Sequence, residues 1–442
     1  MAIATPPGAG ALGIVRLSGP NAILIAGALV APAAALDRQP SHTVRRVALR
    51  AGTDGGAVDD ALCVVMRAPR SYTGEDVVEF SCHGSVPILR GVVEAVCRAG
   101  ARLAAPGEFT RRAFVNGRID LARAEAVALL ISARTERAAM LAARALAGGL
   151  SARIGALRDG LVDVIAHLEV ILDFPDEDVG IDMGAIQVRV AALTDEVESL
   201  ARSARRGRLV HQGVTVTIVG RPNAGKSSLL NALLGYDRAI VASTPGTTRD
   251  VIEGALVIGG VAVRLLDTAG LAAPGDAIEA EGMRRARQAI AESDVSIAVV
   301  DGSVAAGDDG ELRRELAGRR VILVRSKSDL PPRAAPTSDA IAVSSVTGNG
   351  LPMLLAQLAT ELANVVGDER DEDLVAASLR QIKALEEIAS ALRAAATALG
   401  AMPLELALVD LREALLTTSM LLGIEVGDAI LDRVFATFCV GK

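Results

Sequence analysis

The chain has 442 residues with a formal net charge of −7; 51% of the residues are apolar, 2% are aromatic and no Trp is present. A chain of this length accommodates about three domains, whose cores must be built mainly from Ala, Leu and Val. The negative charge argues against a general nucleic-acid coat protein, although it is compatible with a local basic patch.

The longest apolar run, residues 22–36, is interrupted by Gly27 and Pro32 and is too short to span a membrane. We therefore interpret it as a buried helix and expect no association with membranes. The four cysteines show no CxxC spacing and no accompanying His pattern. Such cysteines are typical of reduced thiols, which predicts a cytoplasmic protein.

Residues 1–116 alternate strand-like runs with turns and predict an α/β domain. The runs ALGIVRLSG, DDALCVVMRA and DVVEFSCHG have the pattern of strands, and VPILRGVVEAVCRAG has that of a helix ending at Gly100. From residue 117 to residue 213, apolar residues recur at spacings of three and four with charges between them, which predicts long helices. Pro175 and the acidic stretch after it interrupt this helical part.

Residues 214–370 return to alternating strands and helices. The runs VTVTIVG, VAVRLLD, VSIAVVD, VILVRSK and AIAVSS are short and mostly apolar, as in a parallel sheet covered on both faces. Residues 371–442 again have a helical pattern. This order predicts a mixed α/β and α fold, in which the second α/β domain is inserted into a discontinuous helical domain formed by residues 117–213 and 371–442.

The stretch GRPNAGKS, Gly220–Ser227, fits the phosphate-binding loop pattern G-x-x-x-x-G-K-[ST] without exception. Glycines allow backbone N–H groups to close on phosphates, Lys226 neutralises the β- and γ-phosphates, and the Ser227 hydroxyl is suited to bind Mg²⁺. The alternative is a Gly-rich turn after a strand. Because a predicted strand precedes the loop and a predicted helix follows it, we favour a nucleotide site.

Four further segments follow in the order expected of a G protein. Thr244–Asp250 offers hydroxyls for Mg²⁺ coordination, and Leu265–Gly270 ends a strand with Asp267, which is suited to hold water around Mg²⁺. Ser326–Asp329 and Ser344–Gly348 end later strands and are candidates for reading the base. Each segment alone is usually just a polar strand end. Together they resemble the G-protein family and predict GTP as the nucleotide.

Two residues depart from the usual G-protein pattern. Ser326 stands where Asn is usual in the Asn-Lys-x-Asp motif, while Asp329 can still accept from the guanine N–H groups. Serine is too short to tie the base loop to the phosphate loop as asparagine does, so we expect weaker GTP binding with guanine preference retained. Leu271 stands where Ras-like proteins place a water-orienting Gln, so hydrolysis requires another group.

The blocks ATPPGAGALGIVRLSG, YTGEDVVEFSCHG, APGEFTRRAFVNGRIDLARAEA, LDFPDEDV, PGTTRDV and FCVGK, together with the phosphate loop, extend from residue 4 to residue 442. With these blocks the chain resembles the MnmE (TrmE) family of tRNA-modifying GTPases. The resemblance implies an N-terminal tetrahydrofolate-binding and dimerisation domain over residues 1–116 and an inserted Ras-like G domain over residues 214–370.

The resemblance also implies a function and partners. It implies a homodimer that associates with the flavoprotein MnmG, as a heterotetramer, and acts on tRNA. Together the two proteins would add an aminomethyl or carboxymethylaminomethyl group to C5 of the wobble uridine of certain tRNAs. The one-carbon unit would come from 5-formyl- or methylene-tetrahydrofolate.

The resemblance also implies nucleotide and metal sites, when the family's site residues are transferred to the matching positions of this sequence. K⁺ would be bound by Asn223, Ala242, Thr244 and Thr247, and Mg²⁺ by Ser227 and Thr248. A cation at the K⁺ position can neutralise transition-state charge as an arginine finger does. The GTP-binding residues implied are Asn223, Ala224, Gly225, Lys226, Ser227, Ser228, Ala242, Ser243, Thr244, Pro245, Gly246, Thr247, Thr248, Asp267, Thr268, Ala269, Gly270, Ser326, Lys327, Asp329, Ser344, Ser345 and Val346.

For three single residues, a functional and a purely structural interpretation are both available. Glu279 matches an acidic residue that positions the attacking water, although its spacing alone favours one solvated charge among several. Cys439 is a candidate for the modification chemistry, and the plainer interpretation is a small buried hydrophobe. His83 lies in a matching block, and we assign it a structural role.

For the folate, the resemblance implies a pocket formed by Arg16, Glu79, Arg118 and Lys442. A pterin needs a carboxylate for its N–H edge, and Glu79 suits that role. The family often has Lys where Arg118 stands, which conserves the charge but changes the hydrogen-bond geometry. The alternative for Arg16 and Arg118 is ordinary surface charge.

A different class of function stays open at this point. Ribosome-assembly GTPases, which are switches that check RNA, share loops like GRPNAGKSS. They usually carry compact RNA-binding domains with basic patches, whereas this chain predicts an acidic helical frame. A nucleotide-gated scaffold without chemistry is a third class. Folate binding by the N-terminal part would distinguish the tRNA-modifying enzyme from both.

Overall fold

The computed structural model describes residues 1–30, 36–50, 56–174, 180–236, 253–267, 288, 290–304, 316–331, 339–367 and 373–442. The strands are β1 Ala2–Ile3, β2 Leu12–Ser18, β3 Thr43–Arg50, β4 Ala57–Met66, β5 Val77–His83, β6 Val214–Gly220, β7 Glu253–Ile258, β8 Val261–Asp267, β9 Val295–Asp301, β10 Val321–Ser326 and β11 Ile341–Ala342. The helices are α1 Ala22–Gly27, α2 Val86–Arg98, α3 Glu108–Val115, α4 Leu121–Ser132, α5 Glu136–Leu146, α6 Gly149–Asp173, α7 Met183–Gln212, α8 Lys226–Tyr236, α9 Leu351–Val366, α10 Leu379–Ala401, α11 Leu404–Leu422 and α12 Asp428–Phe435.

The first of two compact units comprises Met1–Ala128, Leu150–Asp182 and Thr397–Lys442. Its sheet is antiparallel, with the strand order β1-β2-β5-β4-β3. Because successive side chains of a strand point to opposite faces, the apolar residues of β2, β4 and β5 line one face, which packs against α1 and α2. This core includes Val15, Leu17, Cys63, Phe80, Cys82, Leu89, Val92 and Val96.

Two elements of this unit bear on the sequence prediction. In the apolar run at residues 22–36, α1 covers Ala22–Gly27 and buries Ala22, Ile23, Ala26 and Gly27. The predicted buried helix is therefore confirmed for this part of the run, and residues 31–35 lie outside the described residues. Strand β3 was not predicted, because its first four residues are exposed at the sheet edge and only its second half alternates.

The C-terminal residues pack onto the N-terminal part of the same unit. The backbone N–H of Phe109 donates to the carbonyl oxygen of Lys442 at 3.1 Å. Gly441 has a φ of 97°, and a Cβ on it would lie 2.5 Å from the carbonyl oxygen of Ile3. Only glycine fits such a close approach, so the penultimate residue allows the chain end to pass beside the sheet.

The second compact unit comprises Leu129–Gly149 and Met183–Ala396. Its sheet has the strand order β11-β10-β9-β6-β8-β7, parallel except for the edge strand β7, which runs antiparallel to β8. Strands β6 and β9 are buried over most of their length, as expected of central strands covered on both faces. The five predicted strands are confirmed, whereas β7 was not predicted.

Helix α7 leads directly into the first strand of this sheet through Gly213, which has a φ of 89°. The Arg137 side chain on α5 donates to the carbonyl oxygen of Gly367, the residue after α9. The Ser203 hydroxyl on α7 donates to the carbonyl oxygen of Asp373 at 2.6 Å. The chain segments that enter and leave the parallel sheet are thus both held by helices of this unit.

The mixture of α/β and α architecture agrees with the predicted fold class. The first unit combines an antiparallel sheet with long helices, and the second combines a mainly parallel sheet with long helices. The predicted domain boundaries near residues 116, 213 and 370 stay a prediction. Within the described part of the chain, no helix has the length and apolarity needed to cross a membrane.

Candidate functional site

The phosphate-binding loop connects β6 to α8 in the second unit. A Cβ on Gly220 would lie 2.3 Å from the carbonyl oxygen of Val299 in β9, so the strand can end here only with glycine. Asn223 and Gly225 have positive φ angles of 63° and 91°, which turn the backbone towards the start of α8. The result is the strand–loop–helix geometry in which a helix N-terminus faces an anion.

Lys226 begins α8 and is almost completely buried, with 7% of its surface exposed. Its ammonium group donates to the carbonyl oxygens of Gly220 at 3.0 Å and Arg221 at 2.9 Å. Burial lowers the pKa of Lys226, while the nearby carboxylate of Asp267 acts in the opposite direction. The ammonium is therefore held inside the loop, which is the position that its predicted contact with phosphates requires.

Ser227 and Asp267 form a donor set suited to Mg²⁺. The Ser227 hydroxyl donates to Oδ2 of Asp267 at 2.6 Å, and Asp267 is fully buried at the end of β8. A hydroxyl and a carboxylate in contact are the hard oxygen ligands that Mg²⁺ accepts, directly or through water. The residues present fit this ion, and the other predicted ligand, Thr248, lies outside the described residues.

The base loop Ser326–Asp329 is tied to the phosphate-binding loop by Ser326. This serine is buried, and its hydroxyl donates to the carbonyl oxygen of Ala224 at 2.6 Å and lies 3.2 Å from that of Val300. A Cβ on Gly225 would lie only 3.7 Å from the Cβ of Ser326. The expectation that serine is too short for this tie is therefore corrected, because the two loops approach closely enough for a hydroxyl to join them.

The second predicted base segment, Ser344–Val346, follows β11 and lies beside the base loop. The backbone N–H of Ser328 donates to the carbonyl oxygen of Val343 at 3.2 Å. The buried Ser344 hydroxyl accepts from the Val346 N–H at 3.3 Å and holds its own turn. Asp329 is exposed on the base loop. The structure thus brings together both segments that we predicted to read guanine.

Replacing Ser326 with Ala should weaken GDP binding by about fivefold, because one net hydrogen bond between the two loops, worth about 1 kcal/mol, is lost. The measurement is a titration of the full chain with a fluorescent GDP analogue. Ser328→Ala is the matched control, since Ser328 is exposed and contributes its backbone N–H to the loop contact. Unchanged affinity in Ser326→Ala would show that the tie does not support nucleotide binding.

The remaining predicted residues of the nucleotide site divide into two groups. The first group is described by the structure: Ser228, next to the phosphate-binding loop, is exposed, and Ser345, in the second base segment, is half-buried. The others lie outside the described residues, so their predicted roles stay predictions. These are Ala242, Ser243, Thr244, Pro245, Gly246, Thr247, Thr248, Thr268, Ala269, Gly270 and Glu279.

In the first unit, Arg16, Glu79 and the chain end come together on the face of the sheet opposite to the core. Arg16 on β2 and Glu79 on β5 are cross-strand neighbours, with Nε and Oε1 2.6 Å apart. Nη1 of Arg16 donates to the carbonyl oxygen of Gly441, next to Lys442, at 3.1 Å. The guanidinium lies 5.6 Å from the centre of the Phe109 ring. A half-buried carboxylate beside a guanidinium suits the edge of a pterin.

The fourth predicted folate residue, Arg118, is exposed and packs beside Gly74. Nearby, a cleft of about 650 Å³ is lined by charged residues that include Glu75, Arg102, Glu108, Arg112 and Asp432. Its volume is in the range of small-molecule sites. Within the cleft, Arg112 pairs with Glu75 at 2.8 Å, and its Nη1 also donates to the carbonyl oxygen of Ser18, the last residue of β2, at 3.3 Å. Sequence reasoning missed this cleft because its residues come from distant parts of the chain.

Two further residues of the sequence analysis lie in this unit. Cys439 is exposed, which contradicts the plainer interpretation of a buried hydrophobe. Its carbonyl oxygen accepts from the N–H of Gly107 at 3.3 Å, so the backbone around the thiol is held. His83 is exposed, and its Nδ1 lies 2.7 Å from Oδ1 of Asp59, an ion pair or hydrogen bond at the end of β5.

Comparison with known proteins covers the whole chain. Residues 1–118 match the model of the GTP-binding protein TrmE N-terminus, and residues 121–439 match that of the MnmE helical domain. The chain is 41% identical over 452 residues to the tRNA modification GTPase MnmE of Synechococcus sp. (strain JA-2-3B'a(2-13)), covering 100% of this chain and 97% of that protein. The chain belongs to the MnmE family of tRNA modification GTPases. By this membership it is a GTP hydrolase.

A second MnmE relative, from Thermus thermophilus, is 42% identical over 447 residues, covering 100% of this chain and 98% of the relative. Among solved structures, Era from Aquifex aeolicus bound to GDP.AlF4− is 26% identical, covers 40% of this chain and 66% of Era, and has a TM-score of 0.28. This TM-score is too low to support any conclusion about the fold or function of this chain. The resemblance that the sequence analysis stated is confirmed by the MnmE relatives.

Proposed function

We propose that this chain is a K⁺-dependent GTPase that acts with the flavoprotein MnmG to modify the wobble uridine of certain tRNAs at C5. The modification is an aminomethyl or carboxymethylaminomethyl group. The observation that carries the proposal is the match along the whole chain to MnmE relatives whose names record tRNA modification. A homodimer, association with MnmG and a cytoplasmic location belong to the same proposal.

The nucleotide site supports the GTPase part of the proposal through residues at the carboxyl ends of parallel strands. Lys226 is held by loop carbonyls, from which it can turn to the β- and γ-phosphates of GTP. Ser227 and Asp267 would hold Mg²⁺, which neutralises phosphate charge when bound. Asp329 would accept from the guanine N–H groups. Phosphoryl transfer needs little more than such positioning and electrostatic stabilisation.

We assign the rest of hydrolysis to K⁺ and to Glu279. Asn223, on the phosphate-binding loop in a left-handed conformation, would bind K⁺ together with Ala242, Thr244 and Thr247. The ion would supply positive charge next to the transferred phosphoryl group. Glu279 would position the attacking water, because Leu271, which follows Gly270, has no polar group with which to do so.

The one-carbon part of the proposal rests on Arg16, Glu79, Arg118 and Lys442. Glu79 would accept from the N–H edge of a pterin, and Arg16 fixes its carboxylate at 2.6 Å. When bound, the tetrahydrofolate would supply the one-carbon unit. The exposed thiol of Cys439, near the same chain end, is available for the modification chemistry. A ribosome-assembly GTPase is disfavoured, because residues 1–118 match the TrmE N-terminal model.

Glu79→Gln should weaken binding of 5-formyl-tetrahydrofolate to the full chain by about tenfold, since charged hydrogen bonds contribute about 1.5–3 kcal/mol. Equilibrium dialysis with the radiolabelled folate gives the affinity. Glu94→Gln, on α2 of the same unit, is the matched control for a lost carboxylate. Equal affinity in Glu79→Gln and the parent would remove Glu79 from the site. Failure of the parent to bind would contradict the folate part of the proposal.

A further inference from the structure

The ends of β9 and β10 form a contact that the proposed nucleotide site has not used. In the parallel register, Asp301 at the end of β9 lies opposite Ser326 at the end of β10. The backbone N–H of the next residue, Gly302, donates to the carbonyl oxygen of Ser326 at 3.1 Å. A Cβ on Gly302 would lie 2.8 Å from that same oxygen, so the two strand ends are packed as closely as glycine allows.

Asp301 uses both carboxylate oxygens in this contact. Oδ2 accepts from the ammonium of Lys327, the second residue of the base loop, at 2.6 Å. Oδ1 accepts from the backbone N–H of Ser303 at 2.9 Å and from its hydroxyl at 2.6 Å. The Asp301 side chain is 17% exposed and that of Lys327 is 36% exposed, so the pair is only partly screened by solvent.

The charge state of Asp301 agrees with this arrangement. Burial acts to raise its pKa, but hydrogen bonds from Lys327 and Ser303 outweigh burial and hold the pKa below the ordinary value. Asp301 is therefore an ionised group fixed from one side by Ser303 and facing Lys327 on the other. It can hold the ammonium in one place.

Lys327 needs such support because of its backbone. Its φ of 55° is in the left-handed region, which is unfavourable for a residue with a Cβ. The turn that contains it is closed by the N–H of Leu330, which donates to the Lys327 carbonyl oxygen at 3.0 Å. The conformation of the whole base loop thus depends on Lys327, and the Lys327 side chain is anchored on Asp301.

We propose that Asp301 is a positioning residue for guanine nucleotide, which acts by anchoring Lys327 and so preorganising the base loop Ser326–Asp329. The proposal rests on the guanine site proposed above. Without the anchor, the Lys327 side chain regains its rotamer freedom, and the nucleotide must order the loop when it binds. The groups proposed to meet the phosphates and Mg²⁺ lie at the start of α8 and at the end of β8. Loss of the anchor should therefore lower nucleotide affinity and leave the chemical step unchanged.

The test is nucleotide affinity and steady-state GTP turnover of the full chain carrying Asp301→Asn. Asparagine keeps an oxygen for Ser303 but lacks the charge that anchors Lys327. We expect GDP affinity to fall about fivefold and KM for GTP to rise by a similar factor, with kcat unchanged within about twofold. Asp301→Glu restores the carboxylate and should recover part of the affinity.

Glu361→Gln, which breaks the partly exposed Arg320–Glu361 pair in the same unit, is the matched control and should bind GDP like the parent.

A double-mutant cycle separates positioning from a general loss of structure. In the Lys327→Met background, adding Asp301→Asn should change GDP affinity by less than about twofold, because the anchored group is already absent. An equal loss in both backgrounds, or parent-like affinity of Asp301→Asn alone, would overturn the inference. Asp329→Asn tests the proposed guanine site separately from the role of Asp301. If the Asp329→Asn variant keeps its full preference for guanine nucleotides, the proposed guanine site is wrong, regardless of the affinity of Asp301→Asn.

Discussion

GTP turnover by Glu279→Ala should fall by about 10²-fold or more while its affinity for GTP stays nearly unchanged, the usual effect of losing a general base or water-positioning group. The reason lies in the sequence after β8. Leu271 occupies the place of the usual Gln and cannot orient water, so hydrolysis requires another group, and we propose Glu279 for this role. Single-turnover hydrolysis at saturating GTP measures the chemical step directly.

Glu281 provides the control for this prediction. It lies two residues beyond Glu279 in the sequence, so Glu281→Ala removes an equal charge from the same acidic stretch. Its turnover should stay close to that of the parent. If Glu279→Ala loses affinity as much as turnover, Glu279 has a structural role. If both variants lose turnover equally, the general charge of the segment matters and not one water-positioning carboxylate.

GTP turnover should rise by about tenfold or more in K⁺ compared with Na⁺, because a correctly sized cation beside the γ-phosphate stabilises the transition state as an arginine finger does. Na⁺ has a smaller radius and should fit the proposed ligands poorly. The measurement compares initial rates in the two chlorides at matched ionic strength, so that general screening is the same in both. Equal rates would rule out the K⁺ site.

The structure suggests a specific variant for this test. Asn223 has a φ of 63°, so Asn223→Gly removes the side-chain amide without straining the loop, whereas Ala would introduce strain. In Asn223→Gly, the difference between K⁺ and Na⁺ should largely disappear while GDP affinity is retained. A persistent K⁺ stimulation would show that the cation binds elsewhere.

The fold around the proposed nucleotide site was largely predictable from the sequence because its strands have a strong apolar pattern. Lys226 and Ser227 begin the helix that follows β6, Asp267 ends β8, and parallel strands bring their carboxyl ends to one edge of the sheet. The tie made by Ser326 was not predictable. It depends on how closely β10 approaches the phosphate-binding loop, and this distance is set by packing across the sheet.

Asp301 was missed for a related reason. It ends a strand that the sequence analysis identified, but a carboxylate at a strand end has many possible partners, and only the three-dimensional structure pairs it with Lys327. In the first unit, Arg16 meets the carbonyl oxygen of Gly441 across most of the length of the chain. The periodicity of apolar residues indicates local structure and not contacts between residues far apart in the chain. Such contacts could be expected only from the family resemblance.

The most direct test of the proposed function is mass spectrometry of the wobble uridines in tRNA from cells that lack this protein. We expect the aminomethyl and carboxymethylaminomethyl groups at C5 to be absent, and to return when the parent chain is supplied but not when Glu279→Ala is supplied at equal abundance. Wobble uridines that keep these groups in the absence of the protein would contradict the proposal.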